Sequence, residues 1–216
     1  MVRLKFSILP NHAIAAPSCD FIFSIHAAQT LHPTVVNEVL AISQPMKPNI
    51  YTDLVTHTRF LRFKGVAGPL AAQYDATVDL VHFTAAPESI QETPVANLPG
   101  TVLQYLYPSR YCPSDRLHRL AVKEFGHLPP GYSRVQAIRE WVTSRISFQS
   151  NTPNGSTTAI DTLVDRAGVC RDFAHLMIAL CRAVNIPARF ASGIDYGADP
   201  FPRSLRLPRL CGGALG

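Results

Sequence analysis

The sequence predicts an α+β protein: an N-terminal β-sandwich followed by a helix-rich α+β domain. Three observations carry that prediction. Up to about Thr84 apolar residues alternate with polar ones at period two. Beyond Ser114 they recur at spacings of three and four, and a proline-rich stretch separates the two patterns. The boundaries follow as residues 1–86 for the β domain, 87–113 for a linker, 114–200 for the second domain and 201–216 for a tail of different composition.

In the first domain, Phe21, Phe23, Ile25 and Ala27 alternate with Ile22, Ser24, His26 and Ala28. Tyr74, Ala76, Val78 and Leu80 alternate likewise with Asp75, Thr77 and Asp79. Thr34-Val35-Val36, Ile50-Tyr51 and Arg59 to Phe63 are short β-rich pieces between them. The separators Gln44 to Asn49 and Lys64 to Pro69 carry turn chemistry. Several short strands at this spacing are the signature of a sandwich. His12, His26, His32, His57 and His82 lie here without ligand spacing, so they read as surface or cross-strand residues.

Pro87, Pro94, Pro99, Pro108 and Pro113 mark the linker, laid over the surface. Ser114 then stands where it would cap a helix bearing Leu117, Leu120, Ala121 and Phe125 and ending at Gly126. After Leu128-Pro129-Pro130-Gly131, Ser133 would cap a second helix with Val135, Ile138, Trp141, Val142 and Ile146 inward. Trp141, at helical spacing among apolar neighbours, reads as core. The polar loop Ser150 to Ser156 contains a glycosylation-type triplet at Asn154, which means little without a secretory signal. Thr158 and Asp161 form a capping-box pattern for a short helix through Leu163.

The chemistry concentrates at Ala167-Gly168-Val169-Cys170-Arg171-Asp172-Phe173-Ala174-His175. Phe173, Ala174, Met177, Ile178, Cys181 and Val184 give one buried helix face, and Asn185-Ile186-Pro187 ends it. Cys170 therefore falls in the first turn of a helix of about four turns. Free N–H groups and the positive dipole end favour negative charge there, and the thiolate is the nucleophilic form of cysteine. Position by itself leaves a catalytic thiol and a buried structural cysteine equally open. His175 is rotated by about 140° and Asp172 by about 200° from Cys170, so neither is set to take the thiol proton. His175 is expected beside the core, and Arg171 and Asp172 are expected to pair with neighbouring loops. A zinc site at Cys170 and His175 lacks two further ligands. Cys181, Cys112 and Cys19 read as structural. Ala188 to Gly193 reads as the first strand of a sheet packed on the helix.

Composition bounds the rest. Hydrophobic residues at 47% against 16% charged describe a core-forming chain. No apolar run is long enough to span a bilayer, and Pro10-Asn11-His12 interrupts the N-terminal apolar stretch, a poor signal peptide. Five cysteines without framework spacing fit a reducing compartment, so a cytoplasmic address is expected. Arg203, Arg206 and Arg209 supply three of the formal +5, leaving +2 without a basic stripe; neither a nucleic-acid nor a membrane partner is expected. No cofactor or metal is expected. A redox role is weak, since there is no Cys-x-x-Cys pair.

The run Gly168 to Leu176 resembles the nucleophile motif of bacterial transglutaminase-like proteins, a group also described as candidate cysteine proteases. Ile186-Pro187-Ala188-Arg189-Phe190, Ser192-Gly193 and the upstream block Tyr105 to Asp115 resemble the same family, in its order. The resemblance implies an N-terminal β domain and a papain-like, transglutaminase-like second domain. It implies that Cys170 attacks an amide or peptide carbonyl to form a thioester, with backbone N–H groups at the helix start stabilising the oxyanion. A histidine and an aspartate later in the chain would complete the set. The substrate would be a peptide or protein amide, passed to water or to an amine.

No histidine follows His175 and no acidic residue follows Asp199. The tail from Phe201 is rich in arginine and leucine without period. Codons for Cys211 to Leu215 can be written so that a one-base shift gives Val-Gly-Gly-Arg-Trp, which resembles the turn between the family's histidine and aspartate strands. The expectation is a frameshifted or truncated chain in which the thiol lacks its partners, Phe190 and Ile194 lack cover, and catalysis is lost. The alternative is a non-catalytic protein-binding module of the same fold.

Overall fold

Four strands, β1 (Val2–Ile8), β2 (Asn11–Phe23), β3 (Pro33–Ile42) and β4 (Asn49–Thr52), all pair antiparallel with the 22-residue β5 (Arg59–Leu80). The computed structural model describes residues 1–29, 33–81, 84–149 and 155–193. The chain divides into two units, Met1–Thr84 and the part from Ala85 onward.

β5 does the work of two strands because its inward face changes phase midway. Arg59, Leu61, Phe63 and Gly65 are buried, and then Leu70, Ala72, Tyr74, Ala76 and Val78. The odd-to-even switch falls at Val66 to Pro69, where Gly68 takes φ 112°, a conformation that a side chain disfavours. Opposite this bend the β2 register slips between Ile14↔Gly68 and Ser18↔Val66, a bulge that holds Pro17. Gln44 closes the gap: its Nε2 donates to the Val66 and Pro69 carbonyls, and its Oε1 accepts the Val66 N–H at 2.9 Å. The turn expected at Lys64 to Pro69 is thus a bend in a continuous strand. β2 pairs with β5 through Lys64, Gly65, Val66, Gly68 and Pro69, so the backbone stays extended where its residues alone would let it turn.

The two halves of β5 share one core of Ile14, Leu61, Phe63 and Leu70, covered by Phe21, Phe23, Leu40, Ile42 and Met46. A polar knot crosses it. Arg59, almost fully buried, donates twice to Glu38 at 2.7 Å, and the Tyr74 hydroxyl donates to the same carboxylate at 2.7 Å. Those bonds, from Arg59 first, hold the Glu38 carboxyl below the usual range. Burial pushes the Tyr74 phenol up to about 12. The His26 ring lies 4.4 Å from that of Tyr74, so this histidine is an internal packing residue.

The second unit is built around α4 (Cys170–Ala183), with α1 (Ser114–Phe125), α2 (Tyr132–Arg145) and α3 (Ala159–Asp165) packed on it. Phe173, Leu176, Leu180 and Ala179 are fully buried and Met177, Ile178 and Cys181 nearly so. α4 is therefore enclosed on most of its circumference, whereas the sequence pattern assigned it one apolar face. Each large side chain removed from water contributes about 1.5–3 kcal/mol.

Two expected caps are replaced. Ser114 is the first residue of α1 and makes no side-chain cap, and Pro113 precedes it. α2 starts at Tyr132, not after Ser133: the Tyr132 N–H donates to the Ile90 carbonyl and the Gly131 N–H to Glu92. The proline-rich segment, which forms short 3-10 turns at Pro87–Ser89, Val95–Asn97 and Gly100–Tyr105, thus caps a distant helix. Thr158 and Asp161 do form the predicted capping box on α3.

Candidate active site

Cys170 stands at the tip of a strand–turn–helix elbow. Two short parallel strands lead into it, β6 (Ser147–Phe148) and β7 (Ala167–Gly168), joined by Ser147 N–H to Arg166 carbonyl and Gln149 N–H to Gly168 carbonyl bonds. Val169 follows in extended conformation (φ −98°, ψ 175°), and Cys170 is the first residue of α4. The thiol is exposed, while Phe173 and Leu176 on the same helix are fully buried. Of the four described cysteines, Cys19 and Cys170 are exposed and Cys112 and Cys181 buried. Burial pushes the Cys181 thiol up to about 12 and raises that of Cys112. A high pKa and loss of access disfavour reaction at these two, and among the described cysteines of this unit Cys170 is the exposed one.

The residues after Cys170 serve its backbone. Asp172 is fully buried; its Oδ2 accepts the Val169 N–H at 2.9 Å and its own N–H donates to the Val169 carbonyl at 2.8 Å. Arg171 donates to Oδ1 through Nη2 at 3.0 Å and Nε at 3.2 Å. The sequence expectation paired these two residues with neighbouring loops. Instead Asp172 turns back onto the residue before the helix, because the third helical position faces the unpaired N–H groups of the first turn.

His175 is buried, as expected, with its ring parallel to that of Tyr111 (5.2 Å between centroids, 6°) and tilted against Phe190 at 5.5 Å. Among the described residues its Nδ1 has no hydrogen-bond partner. Burial, followed by the charge of Arg171, lowers its pKa, with Asp172 opposing. An imidazole held neutral between two aromatic rings is a packing element, and nothing in its contacts directs it to the thiol.

Sequence reasoning missed Arg182. This buried guanidinium reaches across to the Ala188 carbonyl through Nε (2.8 Å) and Nη2 (2.6 Å), and to the Tyr107 carbonyl and Ser109 Oγ through Nη1. It fastens the segments on either side of α4 to the helix, and desolvation lowers its pKa. The available signal was an arginine inside the apolar run Cys181-Arg182-Ala183-Val184. Ala188 donates its N–H to the Tyr105 carbonyl, but residues 187–193 form no strand; the sheet expected there has no partner among the described residues. Phe190 is 49% exposed. Ile194, His32, His82, the loop residues 150–154 and the tail 201–216 lie outside the described residues.

Trp141 packs edge-on against Phe125, with its indole N–H on Glu124 and Arg145 over its ring at 4.4 Å, and so belongs to the core's rim. Among the described residues no His, Cys, Asp and Glu cluster is spaced to hold a metal, and no helix is long and apolar enough to cross a membrane. A groove in the first unit of about 310 Å³, lined by Leu40, Ile42, Gln44, Pro45, Met46 and Pro48, offers no ionisable side chain.

Comparison with known proteins gives three findings. Residues 4–101 match the bacterial transglutaminase N-terminal domain, and residues 120–207 the transglutaminase-like superfamily. A solved structure of a candidate cysteine protease from Cytophaga hutchinsonii superposes with a TM-score of 0.75 at 36% identity, over 85% of this chain and 67% of that one. An uncharacterized protein of Mycobacterium leprae (strain TN) is 25% identical over 156 residues. That match takes in 65% of this chain and 56% of the relative, so the chain spans a little over half the length of that protein.

Proposed function

The chain belongs to the transglutaminase-like superfamily, and on that premise we propose that Cys170 is its nucleophile, in a site built to attack amide or peptide carbonyls. The observation that carries this reading is the elbow: an exposed thiol at the first residue of α4, with its own N–H unbonded among the described residues. The thiolate adds to the carbonyl carbon, the oxyanion faces the Cys170 N–H, and expulsion of the amine leaves a thioester. Water then gives hydrolysis and a second amine gives transamidation. The substrate is a peptide or protein amide, with no nucleic-acid or membrane partner and no cofactor, in a cytoplasmic setting. The working division is residues 1–86, 87–113 and 114–200.

Turnover needs a group that takes the thiol proton and returns it to the leaving amine. No histidine follows His175 and no acid follows Asp199. Within these 216 residues we therefore assign the nucleophile alone and no proton-transfer partner, and we propose that they do not turn over by themselves, the tail from about Phe201 being read out of frame. The same absence favours a second reading, a protein-binding module of the same fold that performs no chemistry.

Iodoacetamide labelling with peptide mapping, beside hydroxylamine-dependent turnover of a glutamine peptide, separates them. Labelling of Cys170 without turnover is expected, with turnover appearing once a one-base correction of the coding DNA supplies a downstream histidine and aspartate. Turnover above the level of a Cys170→Ala variant would overturn the assigned inactivity. An unlabelled Cys170 would leave only the binding module.

A further inference from the structure

We propose that Asp172 is a positioning residue for Cys170: it fixes the Val169–Cys170 peptide so that the Cys170 N–H points out of the helix end, toward a carbonyl under attack. This rests on Cys170 being the nucleophile.

The geometry is a two-ended grip on one residue. The Asp172 carboxylate holds the N–H of Val169 at 2.9 Å, and the Asp172 backbone N–H holds the carbonyl of Val169 at 2.8 Å. Phe173 N–H adds a second bond to that carbonyl at 3.2 Å. With both ends of Val169 held, its φ and ψ are determined, and ψ sets the plane of the next peptide. That peptide is trans, so its N–H is antiparallel to its carbonyl. The carbonyl points into the first turn of α4, and the Cys170 N–H therefore points away from it, out of the helix. Were Val169 free to rotate, this donor would sweep an arc; a donor contributes to an oxyanion hole only when it is already aimed.

Three features show the carboxylate to be a fitted part. It is fully buried. Arg171 fills its other oxygen with two donors. Gly168 leaves the space it occupies, since a Cβ there would stand 3.0 Å from Oδ2.

The test compares two reactions of one thiol. Acylation by p-nitrophenyl acetate passes through an oxyanion: the S–C bond forms, the C–O bond breaks and p-nitrophenolate leaves with the electron pair. Alkylation by iodoacetamide displaces iodide with no oxyanion, so it reports the thiol without the donor. Both rates are measured at Cys170 in the full chain across pH, with folding followed by circular dichroism. Asp172→Ala is expected to lower the acylation-to-alkylation ratio about tenfold or more. Asp172→Asn, which keeps an acceptor for the Val169 N–H, recovers most of it. Replacing Val169 by its α-hydroxy acid turns the Gly168–Val169 amide into an ester, deletes the donor of the same bond without adding atoms and gives the loss again, so this variant serves if Asp172→Ala fails to fold. A ratio within twofold of wild type in either folded variant, or Asp172→Asn as impaired as Asp172→Ala, overturns the proposal. A wild-type Cys170 that is not acylated at all sinks the nucleophile reading itself, and is seen before any variant is made.

Discussion

A Cβ added to Gly168 would lie 2.8 Å from the Cβ of Asp172, closer than real side chains approach, and 3.0 Å from its Oδ2. The glycine of the nucleophile motif is thus required by a buried carboxylate four residues later. Gly168 takes no unusual φ. Space, rather than backbone conformation, disfavours a side chain there.

Gly168→Ala follows directly. The methyl group must displace Asp172, which is held by the Val169 N–H and Arg171, so overpacking of about 1–3 kcal/mol is expected. Denaturant titration followed by far-ultraviolet dichroism measures it, and an unchanged midpoint would refute the contact.

The cysteines are expected to sort by burial. In the native protein at pH 8, iodoacetamide labels Cys170 and Cys19, while Cys112 and Cys181 become reactive only in denaturant. Native labelling of Cys181 would contradict its enclosure in the helical core.

Arg182→Met keeps the aliphatic stem but removes the donors to the Ala188 and Tyr107 carbonyls and to Ser109. Leaving buried acceptors unpaired costs about 1–3 kcal/mol each, partly relieved by no longer burying a charge. A net loss of roughly 2 kcal/mol is expected, together with faster amide exchange at Ala188, which a purely global destabilisation would not single out.

Histidine burial sets the acid side of stability. His26 and His175 both have lowered pKa values, desolvation first in each case. The unfolded chain then binds more protons than the fold once pH drops below the ordinary value of about 6.5, so stability is lost from there downward. His175→Phe keeps the stack on Tyr111 and removes the titration. Its thermal midpoint is expected to fall less between pH 7 and pH 5 than that of wild type; an identical slope would show that His175 is not the group responsible.

The Glu38 carboxyl, lowered chiefly by its Arg59 bonds, adds stability that is present above the ordinary carboxylate pKa and lost as pH falls through the lowered one. Glu38→Gln leaves the buried Arg59 without its ion pair. With Glu38 itself 30% exposed, a loss on the order of 2 kcal/mol is expected at pH 7. A variant as stable as wild type would mean that the pair contributes nothing net.

Periodicity alone determined the α+β class and the presence and order of the helices, though not their ends, because burial on one face is written residue by residue at period two or 3.6. It placed Cys170 in the first turn of α4, and the local pattern Thr158 to Asp161 fixed the α3 cap. Only the tertiary structure decided what depended on partners far away in the chain. Lys64 to Pro69 have turn chemistry, yet pairing with β2 and the Gln44 side chain keep them in a strand. Ser133 is a good cap residue, yet Ile90 and Glu92 reach the start of α2 first. Asp172 and Arg182 carry no periodic signal, since each meets backbone groups, and a hydrogen bond to a carbonyl or an N–H leaves no trace in the identity of the residue that supplies it.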